Sequence, residues 1–192
     1  MRRIYQKIYE RAKPFLRTRK NLIHTKISLN YALRLLKQEK GDEEVVIPAI
    51  LLHDVGWKTI PEHLQLTAFG PNPSNPKLTK VHELNGTKIA GAILEELHYP
   101  SEKTKEICRI IRGHDTRKRP ISPSDRMVKD ADRLFRYSRR GLAIDLDRFG
   151  VSEGDYLNYL EEQIDRWFYL PISREWARKE LALRRKEMEK EG

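Results

Sequence analysis

Apolar positions recur three and four residues apart along almost the whole chain, the period of amphipathic helices. Arg2 to Lys13 predicts a short helix that ends before Pro14, because proline cannot continue the hydrogen-bond ladder. From about Thr18 to Glu39, Leu22, Ile23, Ile27, Tyr31, Leu35 and Leu36 form one stripe, which Gly41 closes. Asp42 is a natural cap for the next helix, with Glu43 and Glu44 at the positive end of its dipole. That helix runs through Pro48 and Ile50-Leu51-Leu52 to His53-Asp54. Lys58 to Lys77 breaks the period with five Pro or Gly residues (Pro61, Gly70, Pro71, Pro73 and Pro76) and reads as a lid, a substrate-contacting wall or a tolerated insertion. Helices are expected again over Thr79–Leu97, from a Ser101 cap to Gly113, and from a Ser124 or Asp125 cap through Phe135. Gly141 to Gly150 is a short helix or loop, and helices over Ser152–Trp167 and Ser173–Glu189 close the chain. No alternating strand pattern, internal repeat or linker interrupts this, so the expected fold class is all-α in a single domain.

A length of 192 residues suffices for a real core, although 39% hydrophobic against 34% charged residues implies a densely ionic surface. No run approaches the roughly 18 apolar residues that a membrane span needs. The basic start, Arg2-Arg3, leads into more charge, so the expectation is a soluble cytoplasmic protein without membrane contact. Cys108 is the single cysteine and lies in a helical stripe, where it reads as a packed thiol. The net charge of +10 favours anionic partners, a small phosphorylated molecule above nucleic acid, for which no recognition motif is present. Pairs such as Glu175–Lys179 and Glu180–Arg184 account for part of the charge as helix support. The sequence carries no sign of oligomeric state.

Four histidines, His24, His53, His82 and His114, each lie on or end an expected helix with apolar flanks. Asp54 adjoins one of them, and Asp132 lies on a further element. One such histidine is most simply a core residue, but each buried polar group without a partner costs about 1–3 kcal/mol. One or two shared cations would satisfy all of them together, as in metal sites built from facing helices. Imidazole with carboxylate suits divalent Fe, Mn, Ni, Co or Zn.

His24, then His53-Asp54, then Asp132 within Lys129-Asp130-Ala131-Asp132-Arg133-Leu134 resembles the H…HD…D signature of the HD-domain superfamily of metal-dependent phosphohydrolases. Val81–Ala90 and Ile110–Asp115 resemble the family's intervening helices, and the likeness covers roughly Asn21 to Tyr137, with the helices of 152–191 packed on that core. The resemblance implies a primary metal held by His24, His53, Asp54 and Asp132. It implies a second held with His82 and His114, with Asp54 bridging. Asp130 competes with Asp132 for the last position; Asp132 is preferred because it precedes Arg133-Leu134, as the family's ligand does. Many members carry a lysine directly after the glycine of the HD element; here Trp57 follows Gly56 and Lys58 comes one later.

The expected activity is phosphoester hydrolysis on a nucleotide or small phosphorylated metabolite, by attack of a metal-activated water that Asp54 orients beside His53. Arg117, Lys118 and Arg119 follow His114 closely and are candidates to hold phosphate oxygens, with Lys58 and Arg133 as further ones. Two alternatives remain from the sequence: a di-iron oxygenase on the same fold, and a non-catalytic basic binding module whose metal is structural.

Overall fold

The computed structural model describes residues 2–191; among them are ten α-helices, two 3-10 turns and no strand, so the fold is all-α. The first helix, α1 (Arg3–Leu16), runs through Pro14 rather than stopping before it. Pro14 removes one N–H, and the buried Tyr5, Ile8, Ala12 and Leu16 hold the last turn in place regardless. α2 (Asn21–Leu35) starts later than the Thr18 expected from the stripe, because Arg19 and Lys20 adopt left-handed backbone with φ of 44° and 64°. It also ends four residues short of Glu39 and well before Gly41, in turns over 36–39.

At the centre is α3 (Glu43–Leu52), whose eight residues from Val45 to Leu52 are all buried. A helix apolar on every side can only be stable when enclosed, and α1 and α2 pack against it, as do two later helices, α6 (Ser101–Ile111) and α7 (Pro123–Leu134). Asp42 caps it as expected, its side chain accepting from Glu44 N–H at 2.9 Å. The segment after it is less irregular than its prolines and glycines suggest. It holds a 3-10 turn, Val55–Thr59, and the short α4 (Glu62–Gln65), above a satellite core of Trp57, Ile60 and Ala68.

The long α5 (Lys77–Glu96) packs on that turn and on α6. Ser101 proves to be the first helical residue of α6, with no side-chain cap. For α7 the cap is Ser122, not Ser124 or Asp125: its hydroxyl accepts from Asp125 N–H and Pro123 takes the first helical position. The Gly141–Gly150 stretch belongs to α8 (Arg139–Phe149), and α9 (Glu153–Trp167) and α10 (Pro171–Glu191) complete the chain. α9 and α10 pack together, and α10 reaches α7. Residues from α1 to α10 share one contiguous core, and no helix is long and apolar enough to cross a membrane among the described residues.

One backbone contact sets the distance between the centre and α5. A Cβ on Gly56 would lie 1.9 Å from the His82 carbonyl oxygen and 2.5 Å from Gly86 N. Backbone cannot swing aside as a side chain can, so Gly56→Ala is expected to destabilise the fold by about 3 kcal/mol. In a chain of this size that lowers Tm by roughly 6–12 °C, measurable by calorimetry.

Candidate metal centre

His53 and His114 are positioned by the same local device. Each sits just past the C-terminal end of a helix, α3 or α6, and each ring Nδ1 lies 2.8 Å from the carbonyl three residues back, Ile50 and Ile111 respectively. A carbonyl can only accept, so Nδ1 carries the proton and Nε2 turns its lone pair inward. His24 comes from α2, and its Nε2 lies 2.9 Å from His53 Nε2. Two ring nitrogens so close need a proton or a cation between them. Asp132 Oδ1 lies 2.9 Å from His24 Nε2 and 3.3 Å from His53 Nε2; Asp54 Oδ2 lies 3.4 and 3.6 Å from the same pair.

The donors form three overlapping groups: His24, His53 and Asp132; His53, Asp54 and His114; and His82, His114 and Asp115. Within each group the ligand atoms lie within 4.8 Å of one another. Ligands about 2.0–2.2 Å from an ion stand about 3.0–3.5 Å apart, which is close to the spacing of the first group. The second group continues it through Asp54, whose Oδ1 turns away from the first to lie 3.9 Å from His114 Nε2. Neither ring nitrogen of buried His82 has a hydrogen-bond partner, nor does His114 Nε2, although Asp115 Oδ2 stands 3.2 and 3.5 Å from the two rings. Orphaned buried nitrogens beside carboxylates are what a site for one or two divalent ions requires, so the residues fit the group.

Electrostatics divides the cluster. Burial opposes a charge on His53, but the Asp54 and Asp132 carboxylates outweigh it and raise its pKa to about 10. Against their own burial, His53 and its neighbours hold Asp54 and Asp132 below the ordinary carboxylate range. His82 is the opposite: burial, reinforced by His114, pushes it down to about 3, leaving a neutral ring with one nitrogen lone pair to give.

All six candidate ligands, His24, His53, Asp54, His82, His114 and Asp132, come together in this one region. Asp130 does not join them. Its two oxygens accept from Tyr169 and Leu170 N–H at 3.0 and 2.9 Å, ahead of the first turn of α10. Asp115 does join, and its signal was visible: His114-Asp115 repeats the dipeptide and the helix-end setting of His53-Asp54. Trp57 donates from Nε1 to Asp54 Oδ1 at 3.1 Å and lies over His82 with ring centroids 4.0 Å apart.

A cavity of about 270 Å³ opens over the cluster, its floor including His24, Asp54, Asp115 and Asp132. The 58–77 segment walls it with Gln65, Phe69 and Gly70, and α9 supplies Tyr159 and Trp167. Arg133 lines it, its guanidinium held by the Trp167 carbonyl. The other basic residues expected at the substrate lie elsewhere. Arg117 is tied to Asp125 at 2.8 Å and to the Arg109 carbonyl at 2.9 Å, while Lys58, Lys118 and Arg119 are exposed and outside the cavity lining. Arg117, Lys118 and Arg119 follow His114 in sequence, but the turn after His114 leads away from the cavity.

That turn is clamped by opposite charges. The wholly buried Lys129 donates to the carbonyls of Gly113 and His114, each at 2.6 Å, and of Arg117 at 3.0 Å. Buried Glu83 accepts from Asp115 N–H at 3.0 Å and from Thr116 N–H at 2.9 Å. Sequence reasoning missed both, since a lysine and a glutamate inside helices ordinarily face water. Lys129→Met keeps the length and removes every donor. Three carbonyls left unsatisfied cost about 3 kcal/mol, read as a lower denaturation midpoint. Metal affinity at the His82–His114 end is expected to fall about 10–100-fold in a calorimetric titration.

A scan against protein-family models matches residues 21–137 to the HD domain, which is more than half of the chain. No curated protein and no solved structure matches it. With that match over the stretch that carries all seven clustered side chains, the chain belongs to the HD-domain family.

Proposed function

We propose that the chain is a metal-dependent phosphohydrolase acting on a nucleotide or a small phosphorylated metabolite. The observation that carries this reading is the chain of three overlapping donor groups on the floor of a cavity with arginines and aromatic rings in its walls. His24, His53, Asp54 and Asp132 would hold one ion; His82, His114 and Asp115 would hold a second, with Asp54 between them. A divalent ion there supplies Lewis acidity, polarising a phosphoryl oxygen and lowering the pKa of water from about 15.7 toward 7.

The residues do the rest. Asp54 is fixed by the Trp57 N–H, so its other oxygen has a set direction in which to orient a water. Nδ1–H bonds to Ile50 and Ile111 prevent His53 and His114 from turning their lone pairs away. Arg133 puts a positive charge at the cavity wall, where phosphoryl oxygens would gather negative charge in the transition state. Trp57, Phe69, Tyr159 and Trp167 give flat apolar surface for a base or a sugar ring.

His53→Ala and Asp54→Ala are each expected to lose bound metal by elemental analysis and to lose turnover of a phosphatase and nucleotidase panel by about a thousandfold or more. Retained turnover would reject the assignment. Oxygen consumption by an iron-loaded preparation, with no phosphate released from any compound under nitrogen, would replace hydrolysis with the oxygenase chemistry that the same donor set suits.

A further inference from the structure

The cavity has a second polar face that the hydrolytic reading leaves without a role. Arg19, Arg136 and Arg148 line it together, with Asn21 beside them. They come from the turn before α2, the 3-10 turn after α7, and α8. Buried Asp145 gathers two of them: Oδ2 accepts from Arg136 Nη1 at 2.7 Å and Oδ1 from Arg148 Nη1 at 3.2 Å. The Tyr156 hydroxyl donates to Oδ2 at 2.8 Å, which completes that carboxylate. Arg148 also donates from Nη2 to the Arg19 carbonyl and to Asn21 Oδ1, and Arg19 donates from Nη1 to the Glu62 carbonyl at 2.7 Å.

Three guanidiniums are therefore set against two carboxylates, Asp145 between Arg136 and Arg148 and Glu62 beside Arg19. On this wall the three guanidiniums outnumber the two carboxylates, while Asp132 and Asp54 of the floor attract Arg136 and Arg148 across the cavity. Burial and the neighbouring Arg148 charge both lower the Arg19 pKa, a sign of cations held together against their repulsion. The Arg148 side chain is only 8% exposed and its Nε, like that of Arg19, is enclosed by protein, so both cations are fixed in place at the cavity wall. The left-handed backbone at Arg19 and Lys20 adds strain at the same place, as functional sites commonly do.

We propose that Arg19, Arg148 and Arg136 form an anion subsite, which binds a second anionic group of the substrate, phosphate or carboxylate, apart from the phosphoester that meets the histidine–aspartate floor. The proposal rests on the phosphohydrolase reading for the reaction it serves, but not for the binding itself. Asp145 is then a positioning residue, holding two arginines in register with the cavity. A substrate with two anionic groups would span from this wall to the floor, and one with a single anionic group would leave the arginine wall unmet.

Two measurements on the purified full chain test this. The first compares kcat/KM within matched pairs: glycerol 3-phosphate against 3-phosphoglycerate, and adenosine 5'-phosphate against adenosine 3',5'-bisphosphate. The member with two anionic groups is expected to be favoured about tenfold or more in at least one pair, since a charge-assisted hydrogen bond commonly contributes that factor. The pair that responds tells carboxylate from phosphate. Arg19→Gln and Arg148→Gln should each shrink the preference to about twofold or less, with Arg148→Lys retaining part of it.

The second is a calorimetric titration with inorganic sulfate, a weak ligand for transition metals. Saturable binding is expected in the wild-type chain and in Asp132→Asn, but about tenfold weaker in Arg19→Gln. Sulfate binding on these terms with no hydrolysis of any pair would retain the subsite and remove the hydrolase reading. Absent sulfate binding, binding that Arg19→Gln leaves unchanged, or equal kcat/KM within both pairs would overturn the subsite.

Discussion

Seven side chains turn lone pairs or negative charge into one largely buried region, and the remainder of the fold exists under that constraint. Ring nitrogens of His24 and His53 at 2.9 Å repel unless positive charge lies between them, and the carboxylates of Asp54 and Asp132 deepen the demand for it. Left unsatisfied, such groups would each cost about 1–3 kcal/mol, in a chain whose net stability is of the order of 10 kcal/mol. Rings that could rotate would relieve the conflict by turning away. The Nδ1–H bonds to Ile50 and Ile111 forbid that, so the fold concentrates electron pairs and keeps them concentrated.

Holding the cluster requires close approach of backbones, which explains where the small residues and the buried charges fall. Gly56 meets the His82 carbonyl and Gly86 so closely that no Cβ fits, which brings His82 beside the end of α3. On the far side, Lys129 collects three carbonyls and Glu83 two N–H groups of a single turn. A charge of each sign thus binds the backbone groups of opposite polarity, and His114-Asp115 has no freedom to drift.

What could be read in the sequence and what could not divide along physical lines. The helices were visible because an amphipathic period is local, and their ends moved where tertiary packing or left-handed backbone prevailed, as at Leu16 and Arg19. The four histidines stood out because imidazoles on apolar stripes contradict their surroundings. Asp132 could be told from Asp130 only by resemblance; in space the reason is that Asp130 is spent on the N–H groups of Tyr169 and Leu170. Arginines were the hard case. Lys118 and Arg119 were suggested by their nearness in sequence to His114, whereas Arg19, Arg136 and Arg148 reach the cavity from segments far apart in the chain. No local pattern distinguishes an arginine drawn inward by Asp145 from one that faces water.

The seating of the 58–77 segment has a consequence for how the cavity receives a molecule. Gly70 sits against the Phe149 ring with no space for a Cβ, and the Gln65 amide donates to the Trp57 and Ile60 carbonyls while its oxygen accepts from Thr18. A wall tied down at both its tip and its root is a rigid mould. Ligands are then sorted by shape and charge against a receptor already in its final form, so little binding energy goes into ordering the protein and selectivity resides in the outline of the mould itself.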